Sequence, residues 1–235
     1  IVKVFGKSAA TTGWNEKRLR AVGRDFLAIH THPNDHAAYY PGAQTLAIKI
    51  LIDPKDGAIL GAQAVGAEGV DKRIDVIATA MRAGLTATDL IDLELAYAPP
   101  FGSAKDPINQ LGYIAENRMS GLSESADWSE IEQLQTSGWK LLDVRTREEF
   151  AEGSIPGATN VPVDELRDHL DDLRGSDYLV YCAVGQRAHV ATQLLKAHGI
   201  SAKNLDGGWT TWRNTRTARS LRDVPKKQLV GAALS

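Results

Sequence analysis

The sequence predicts two domains, an α+β domain followed by an α/β domain with a parallel sheet. Its 235 residues are enough for two domains of ordinary size. Residues 1–120 predict strands first and helices later, which is typical of an α+β layer, whereas strands alternate with helices over residues 127–215. Small residues at 121–126 indicate a linker between the two blocks, and residues 216–235 form a C-terminal tail.

Composition argues against several classes of protein. Hydrophobic residues make up 43% of the chain and charged residues 24%, as in a globular protein. The net charge of −2 indicates no general affinity for nucleic acid or for an anionic membrane. No apolar run reaches the roughly 18–20 residues of a transmembrane helix. A single cysteine forms no internal disulfide, so we expect a reducing, cytoplasmic setting.

In the first block, apolar periodicity and turn residues predict four strands and four helices. The clearest helix covers residues 71–83 and ends at Gly84. Asp53-Pro-Lys-Asp-Gly57 has the composition of a hairpin turn. Because the chain opens with a strand and lacks an initiator methionine, we expect it to be part of a longer protein. The predicted strands are residues 1–5, 25–31, 45–52 and 59–65. The other predicted helices are residues 15–22, residues 106–119 and a short helix that is capped by Thr86 or Thr88 and ends at residue 93.

In the second block, short apolar runs alternate with amphipathic segments. Thr146 is a suitable N-cap for one of the helices. Ligands of parallel sheets bind beyond the carboxyl ends of the strands, and Cys182 directly follows such an end. The predicted strands are residues 140–144, 178–181 and 202–205, with an extended segment at 155–162, and the predicted helices are 129–136, 145–153, 163–173 and one that opens at Arg187.

The stretch around Cys182 has the pattern of strand, tight loop and helix N-terminus. Gly185 lies three residues after the cysteine, and Arg187 opens an amphipathic helix. Backbone N–H groups of the loop would converge on the sulfur, and the helix end adds partial positive charge. Such a setting favours a thiolate and binds anions, with Arg187 supplying a guanidinium. The candidate catalytic residues are Cys182 and Arg187, and the candidate anion-binding loop is Ala183, Val184, Gly185 and Gln186.

By composition alone, a single cysteine is more often a buried apolar residue than a nucleophile. The Cys-x-x-x-x-Arg spacing reverses this balance, because the loop resembles the active loop of the rhodanese family, whose cysteine carries a sulfane sulfur as a persulfide. Cysteine phosphatases have a similar loop with one more residue, so the shorter loop favours a persulfide over phosphate. Leu-Leu-Asp143-Val-Arg145 and Asp206-Gly-Gly-Trp209 resemble two further rhodanese signatures. We expect turn and packing roles for those residues.

The first block carries a second resemblance, in residues 30–42, 71–73 and 95–109. These segments resemble the C-terminal dimerisation domain of flavin-dependent disulfide reductases, in particular the coenzyme A disulfide reductases and NADH oxidases. The resemblance implies a homodimer in which Tyr39 and Tyr97 serve the partner subunit's active site, with Tyr40 a close rival to Tyr39. It also implies N-terminal flavin and nicotinamide domains in a longer parent, which would use FAD, NAD(P)H and coenzyme A.

No metal or dinucleotide site is predicted in the chain itself. His30, His32 and His36 carry three imidazoles, as many zinc sites do, but we expect turn and interface roles for them, as in the resembling family. The G-x-G-x-x-G fingerprint of dinucleotide binding is absent from the sequence. We therefore expect no cofactor in this chain alone.

Together the two resemblances predict sulfur transfer through a Cys182 persulfide, attached to the dimerisation domain of a flavin-dependent coenzyme A disulfide or polysulfide reductase. The predicted partners are small sulfur donors and thiol acceptors, with neither nucleic acid nor membrane. The alternative is a non-catalytic rhodanese-like interaction module on an NADH oxidase-like flavoprotein. The presence of both Cys182 and Arg187 favours the enzyme.

Overall fold

The computed structural model describes residues 1–222. The chain forms two compact units, with the boundary between Asp127 and Trp128. The predicted C-terminal tail begins inside the last described helix, and its residues 223–235 lie outside the described part of the chain. Among the described helices, none is long and apolar enough to cross a membrane.

The first unit is built on an antiparallel sheet of five strands. They are β1 (Val2–Val4), β2 (Lys7–Gly13), β3 (Leu27–Thr31), β4 (Ala47–Ile52) and β5 (Ile59–Gly66), in the order β1-β2-β5-β4-β3. Four of these strands match predicted ones. Strand β2 was not predicted, because its small and polar residues show no apolar alternation. Its place is set by antiparallel pairing with β1 on one side and β5 on the other.

The sheet of the first unit packs against apolar residues on both of its faces. Successive side chains of β4 contribute to two different apolar clusters. Ile48 and Ile50 lie in the main core, which includes apolar residues of the two long helices, whereas Leu51 joins a separate small cluster with Leu19 and Leu60. Successive strand residues point to opposite faces, so one strand serves both clusters. The α+β prediction is confirmed. The helices are α1 (Glu16–Ala21), α2 (Val70–Ala83) and α3 (Pro107–Met119), with a 3-10 helix at Thr88–Asp92.

The second unit is organised around a parallel sheet, as predicted. The two-residue β6 (Ser125–Ala126) precedes the boundary between the units. The strands of the second unit are β7 (Lys140–Asp143), β8 (Ala158–Asn160), β9 (Tyr178–Tyr181) and β10 (Ala202–Leu205), in the order β10-β9-β7-β8. The helices are α4 (Ile131–Thr136), α5 (Arg147–Ala151), α6 (Gln186–Ala197) and α7 (Gly208–Arg222). Asp143 pairs with Tyr181 in register, so the residues after β7 and β9 emerge at the same sheet edge.

Residues 163–173 differ from their prediction as one α-helix. The chain forms a short 3-10 helix there, Leu166–His169, followed by turns. The leucines at 166, 170 and 173 have helical spacing and lie inside or against the core of the second unit. The spacing of the leucines does not distinguish an α-helix from a 3-10 helix, because both place residues three or four apart on one side of the helix.

Candidate active site

Cys182 directly follows β9, and its side chain is only 1% exposed. The chain then turns sharply at Gly185, whose φ of +100° favours glycine, and enters α6. The Gly185 N–H donates to the Cys182 Sγ atom at 3.2 Å. The N-terminus of α6 adds the positive end of a helix dipole. The sulfur therefore lies where the local structure stabilises negative charge.

The first turn of α7 supports this loop by hydrogen bonds to its backbone carbonyls. The Trp209 N–H donates to the Cys182 carbonyl and the Thr210 N–H to the Ala183 carbonyl, both at 2.9 Å. Gly208 permits the approach, because a Cβ atom there would lie 2.5 Å from the Cys182 carbonyl oxygen. The Asp206-Gly-Gly-Trp209 motif thus shapes the loop through its backbone.

Arg187, the second residue of α6, directs its guanidinium to Glu149 of α5. Its Nη1 and Nη2 atoms donate to the two carboxylate oxygens at 2.7 and 2.8 Å. These hydrogen bonds raise the pKa of Arg187, and the neighbouring Cys182 side chain adds to the effect. The same hydrogen bonds are the main reason that the pKa of Glu149 is lowered to about 2. Arg187, at the end of the Cys182 loop, is therefore part of an ion pair with α5, and the carboxylate of that pair, Glu149, was not among the predicted site residues.

Glu149 is held in place by the start of its own helix. Its carboxylate accepts a hydrogen bond from the Thr146 N–H at 3.0 Å, and its N–H donates to Thr146 Oγ1 at 3.3 Å. This reciprocal arrangement is a capping box, and the predicted N-cap at Thr146 is confirmed. The Thr-x-x-Glu spacing was the signal in the sequence that could have drawn attention to Glu149.

A second, buried ion pair stabilises the turn that follows β7. Arg145 Nη2 donates to Asp143 at 2.6 Å and to the Gly153 carbonyl at 2.7 Å. The guanidinium also lies over the Trp209 ring, 4.9 Å from its centroid. These contacts give Asp143, Arg145 and Trp209 packing roles in the described structure.

The remaining loop residues line the same turn. Ala183 and Val184 are partly exposed, Gln186 is exposed, and Gly185 is buried. His189 lies one turn into α6, where burial lowers its pKa. Burial thus disfavours the charged form of its imidazole.

In the first unit, Tyr39 and Tyr97 lie together. Their Oη atoms are 3.4 Å apart, and the side chains are 77% and 49% exposed. The contact with Tyr39 raises the pKa of Tyr97. Tyr40 instead meets His36 edge-on, with ring centroids 5.9 Å apart. Of the two neighbouring tyrosines, Tyr39 is therefore the one whose hydroxyl faces Tyr97.

Buried Arg73 of α2 joins the two segments that carry these tyrosines. Its Nη2 atom donates to the Asp35 carbonyl at 2.7 Å and to Asp106 Oδ2 at 2.8 Å. The Ala37 N–H also donates to the Gly102 carbonyl at 2.9 Å. The tyrosine pair thus rests on loops that are connected through the core.

No group of three or more His, Cys, Asp or Glu side chains that could hold a metal occurs within residues 1–222. His36 contacts Asp35, with Nδ1 3.1 Å from Oδ1. His30 lies on β3 opposite Lys49.

Two family models match the chain. The model described as "Pyridine nucleotide-disulphide oxidoreductase, dimerisation domain" matches residues 1–107, and the model described as "Rhodanese-like domain" matches residues 127–215. Each match falls on one of the two predicted resemblances.

Similar proteins include one curated relative and two solved structures. A coenzyme A disulfide reductase of Staphylococcus aureus is 42% identical over 116 residues, which are 49% of this chain and 26% of that protein. The reduced CoADR-RHD of Bacillus anthracis is 45% identical with a TM-score of 0.87, and a NAD-dependent persulfide reductase from A. fulgidus is 36% identical with a TM-score of 0.81. Each structural match covers 89% of this chain and 38% of the other.

The chain spans about a quarter of the length of the curated relatives it matches. Residues 1–107 belong to the pyridine nucleotide-disulphide oxidoreductase dimerisation family, and residues 127–215 belong to the rhodanese-like family.

Proposed function

We propose that the rhodanese-like domain transfers sulfur through a persulfide on Cys182. The observation that carries the proposal is the Gly185 N–H directed at Sγ, at 3.2 Å, beside the N-terminus of α6. Such a donor stabilises the thiolate before the reaction and the persulfide anion after it. A relative named as a persulfide reductase supports the same chemistry.

The reaction would proceed in two displacements. The Cys182 thiolate attacks the outer sulfur of a donor R–S–SH; the Sγ–S bond forms, the S–S bond of the donor breaks, and the thiolate RS⁻ leaves. A second thiolate then attacks the outer sulfur of Cys182–S–SH, takes it as a new persulfide and regenerates the Cys182 thiolate. Splitting the transfer in this way is ordinary nucleophilic catalysis.

We propose further that both domains act within a longer flavin-dependent reductase of coenzyme A disulfide, coenzyme A persulfide or polysulfide. The names of the relatives support this setting. FAD and NAD(P)H would bind to other parts of that parent, because residues 1–127 of the described structure form an antiparallel sheet without the parallel strand–glycine turn–helix that holds a dinucleotide. Tyr39 and Tyr97 would serve the reductase site of the partner subunit.

A non-catalytic interaction module is the competing function. It is favoured by the burial of Cys182, 1% exposed, and by the engagement of Arg187 with Glu149. A module of this kind would not load sulfur, so the two functions differ in a directly measurable property.

The test is intact-mass analysis after treatment of the folded chain with inorganic polysulfide. We expect added sulfur on the wild type and none on Cys182→Ser, since the chain has one cysteine. Arg187→Ala should load about tenfold more slowly, because the Glu149 carboxylate is then left without its cation beside the sulfur anion. Folded wild-type protein that acquires no sulfur would reject the transferase and favour the interaction module.

A further inference from the structure

We propose that Glu149 determines which sulfur donors the Cys182 loop accepts, by neutralising Arg187 and so disfavouring doubly charged donors such as thiosulfate. The inference rests on the proposed sulfur transfer and adds a specificity-determining residue to it.

The Glu149 carboxylate lies directly against the Arg187 guanidinium. Both terminal nitrogens of Arg187 are engaged by the Glu149 carboxylate, at 2.7 and 2.8 Å. The neighbouring Arg145 is likewise paired with Asp143. The Arg187–Glu149 pair therefore adds no net charge to the loop, and the uncompensated attraction for an anion comes from the Gly185 N–H and the start of α6.

Charge then separates the donor classes. A neutral or singly charged persulfide is accommodated by backbone dipoles, whereas a dianion also meets the carboxylate across the loop. Coulomb repulsion between such charges is appreciable at a partly buried site and modest at an exposed one. The two side chains are about one third exposed, 35% for Arg187 and 34% for Glu149. We therefore expect a discrimination of about three- to tenfold per unit of charge.

The carboxylate cannot easily leave this position or lose its charge. The capping box with Thr146 fixes it at the start of α5. The Arg187 hydrogen bonds hold its pKa at about 2, so it stays ionised at neutral pH. Glu149 thus acts as a permanent charge facing the loop.

The first test measures charge selection without sulfur chemistry. Iodoacetamide and iodoacetate are nearly equal in size and differ by one charge, and Cys182 is the single cysteine they can alkylate. In Glu149→Gln the ratio of the iodoacetate rate to the iodoacetamide rate should rise about three- to tenfold. Taking the ratio cancels changes in thiolate fraction and in access to the sulfur. Gln is accepted at this position of a capping box, so the helix start is kept.

The matched control is Glu165→Gln. It removes a carboxylate that forms a bidentate pair with Arg147 in the same domain. This variant should leave the alkylation ratio unchanged. An unchanged ratio in Glu149→Gln, or an equal rise in both variants, would overturn the role of Glu149.

The second test compares the transfer of sulfur to Cys182 from thiosulfate and from an uncharged organic trisulfide R–S–S–S–R. With the trisulfide, the Cys182 thiolate attacks the central sulfur, the Sγ–S bond forms, one S–S bond of the donor breaks, RS⁻ leaves, and Cys182 carries the added S–S–R group, which intact mass detects. With thiosulfate, the Cys182 thiolate attacks the outer sulfur, the Sγ–S bond forms, the S–S bond of thiosulfate breaks, and sulfite leaves with the electron pair. Glu149→Gln should increase loading from thiosulfate relative to the trisulfide by at least the factor found for alkylation. If Glu149→Gln acquires sulfur with the same donor preference as the wild type, only the Glu149 proposal is rejected. Absence of sulfur from every donor rejects the transfer function and the donor specificity with it.

Discussion

Glu149 takes part in two interactions that are usually made by different residues. Its carboxylate completes the capping box of α5 and pairs with Arg187 of α6. A single ionised group therefore couples the start of one helix to the loop at the start of another. The coupling makes the stability of the domain sensitive to the protonation of this carboxylate.

This coupling predicts a pH-dependent contribution to stability. The pKa of Glu149 is lowered from 4.5 to about 2, so the stabilisation is complete above about pH 4.5 and is lost as pH falls towards 2. The difference in melting temperature between wild type and Glu149→Gln should be largest at neutral pH and shrink in that acidic window. Thermal unfolding followed by tryptophan fluorescence checks this. A difference that stays constant from about pH 6 to about pH 3 would contradict it.

At the scale of elements, α7 begins in direct contact with the Cys182 loop. In Gly208→Ala the new Cβ would lie 2.5 Å from the Cys182 carbonyl oxygen and 3.0 Å from that of Ala183, at a residue with φ of +58°. We expect a loss of about 1–3 kcal/mol in stability and at least about a tenfold loss in sulfur loading on Cys182, because the loop must move.

Gly199→Ala is the matched control for Gly208→Ala. Gly199 has φ of +74°, and no atom lies within 4 Å of the position that a Cβ would take there, so it shares the left-handed backbone cost without the clash. This variant should lose stability but keep its sulfur loading. If both variants lost loading equally, displacement of the Cys182 loop would not be the cause.

The tyrosine-bearing loops of the first unit depend on α2 through Arg73. Arg73 is 2% exposed, and Arg73→Met would leave the Asp106 carboxylate buried without its main cation. We expect a loss of about 3–5 kcal/mol in the free energy of unfolding. Lys72→Met, a neighbouring variant whose ammonium is 3.9 Å from Asp106, should cost less than about 1 kcal/mol. Urea unfolding of the two variants compares them, and similar losses would contradict a special role for Arg73.

At the scale of the whole molecule, the match of residues 1–107 to a dimerisation-domain family leads us to predict a two-fold dimer. The exposed Tyr39, Tyr97 and Phe101 are consistent with a surface that meets a partner. Light scattering should give about twice the chain mass of 25.4 kDa. Cys182→Ser should give the same mass, because the dimer would not depend on a disulfide. A monomeric mass at tens of micromolar protein would count against the prediction.

The sequence by itself determined the features that depend on near neighbours. The periodicity of residues 71–83, the apolar run before Cys182, the cap at Thr146 and the order of the two domains were all predicted, and the structure has them. The first three features arise from hydrogen bonds and side-chain spacing within one or two turns of chain, which the order of residues records directly. The order of the domains follows from the order of the two sequence patterns along the chain.

Only the tertiary structure decided which distant residues meet. Strand β2 has no apolar pattern of its own and exists because β1 and β5 pair with it. Glu149 reaches Arg187 across 38 positions, and Tyr39 rather than Tyr40 faces Tyr97 across 58. These contacts follow from the path of the chain, because sheet order and helix docking bring together groups whose separation in sequence carries no trace of their contact.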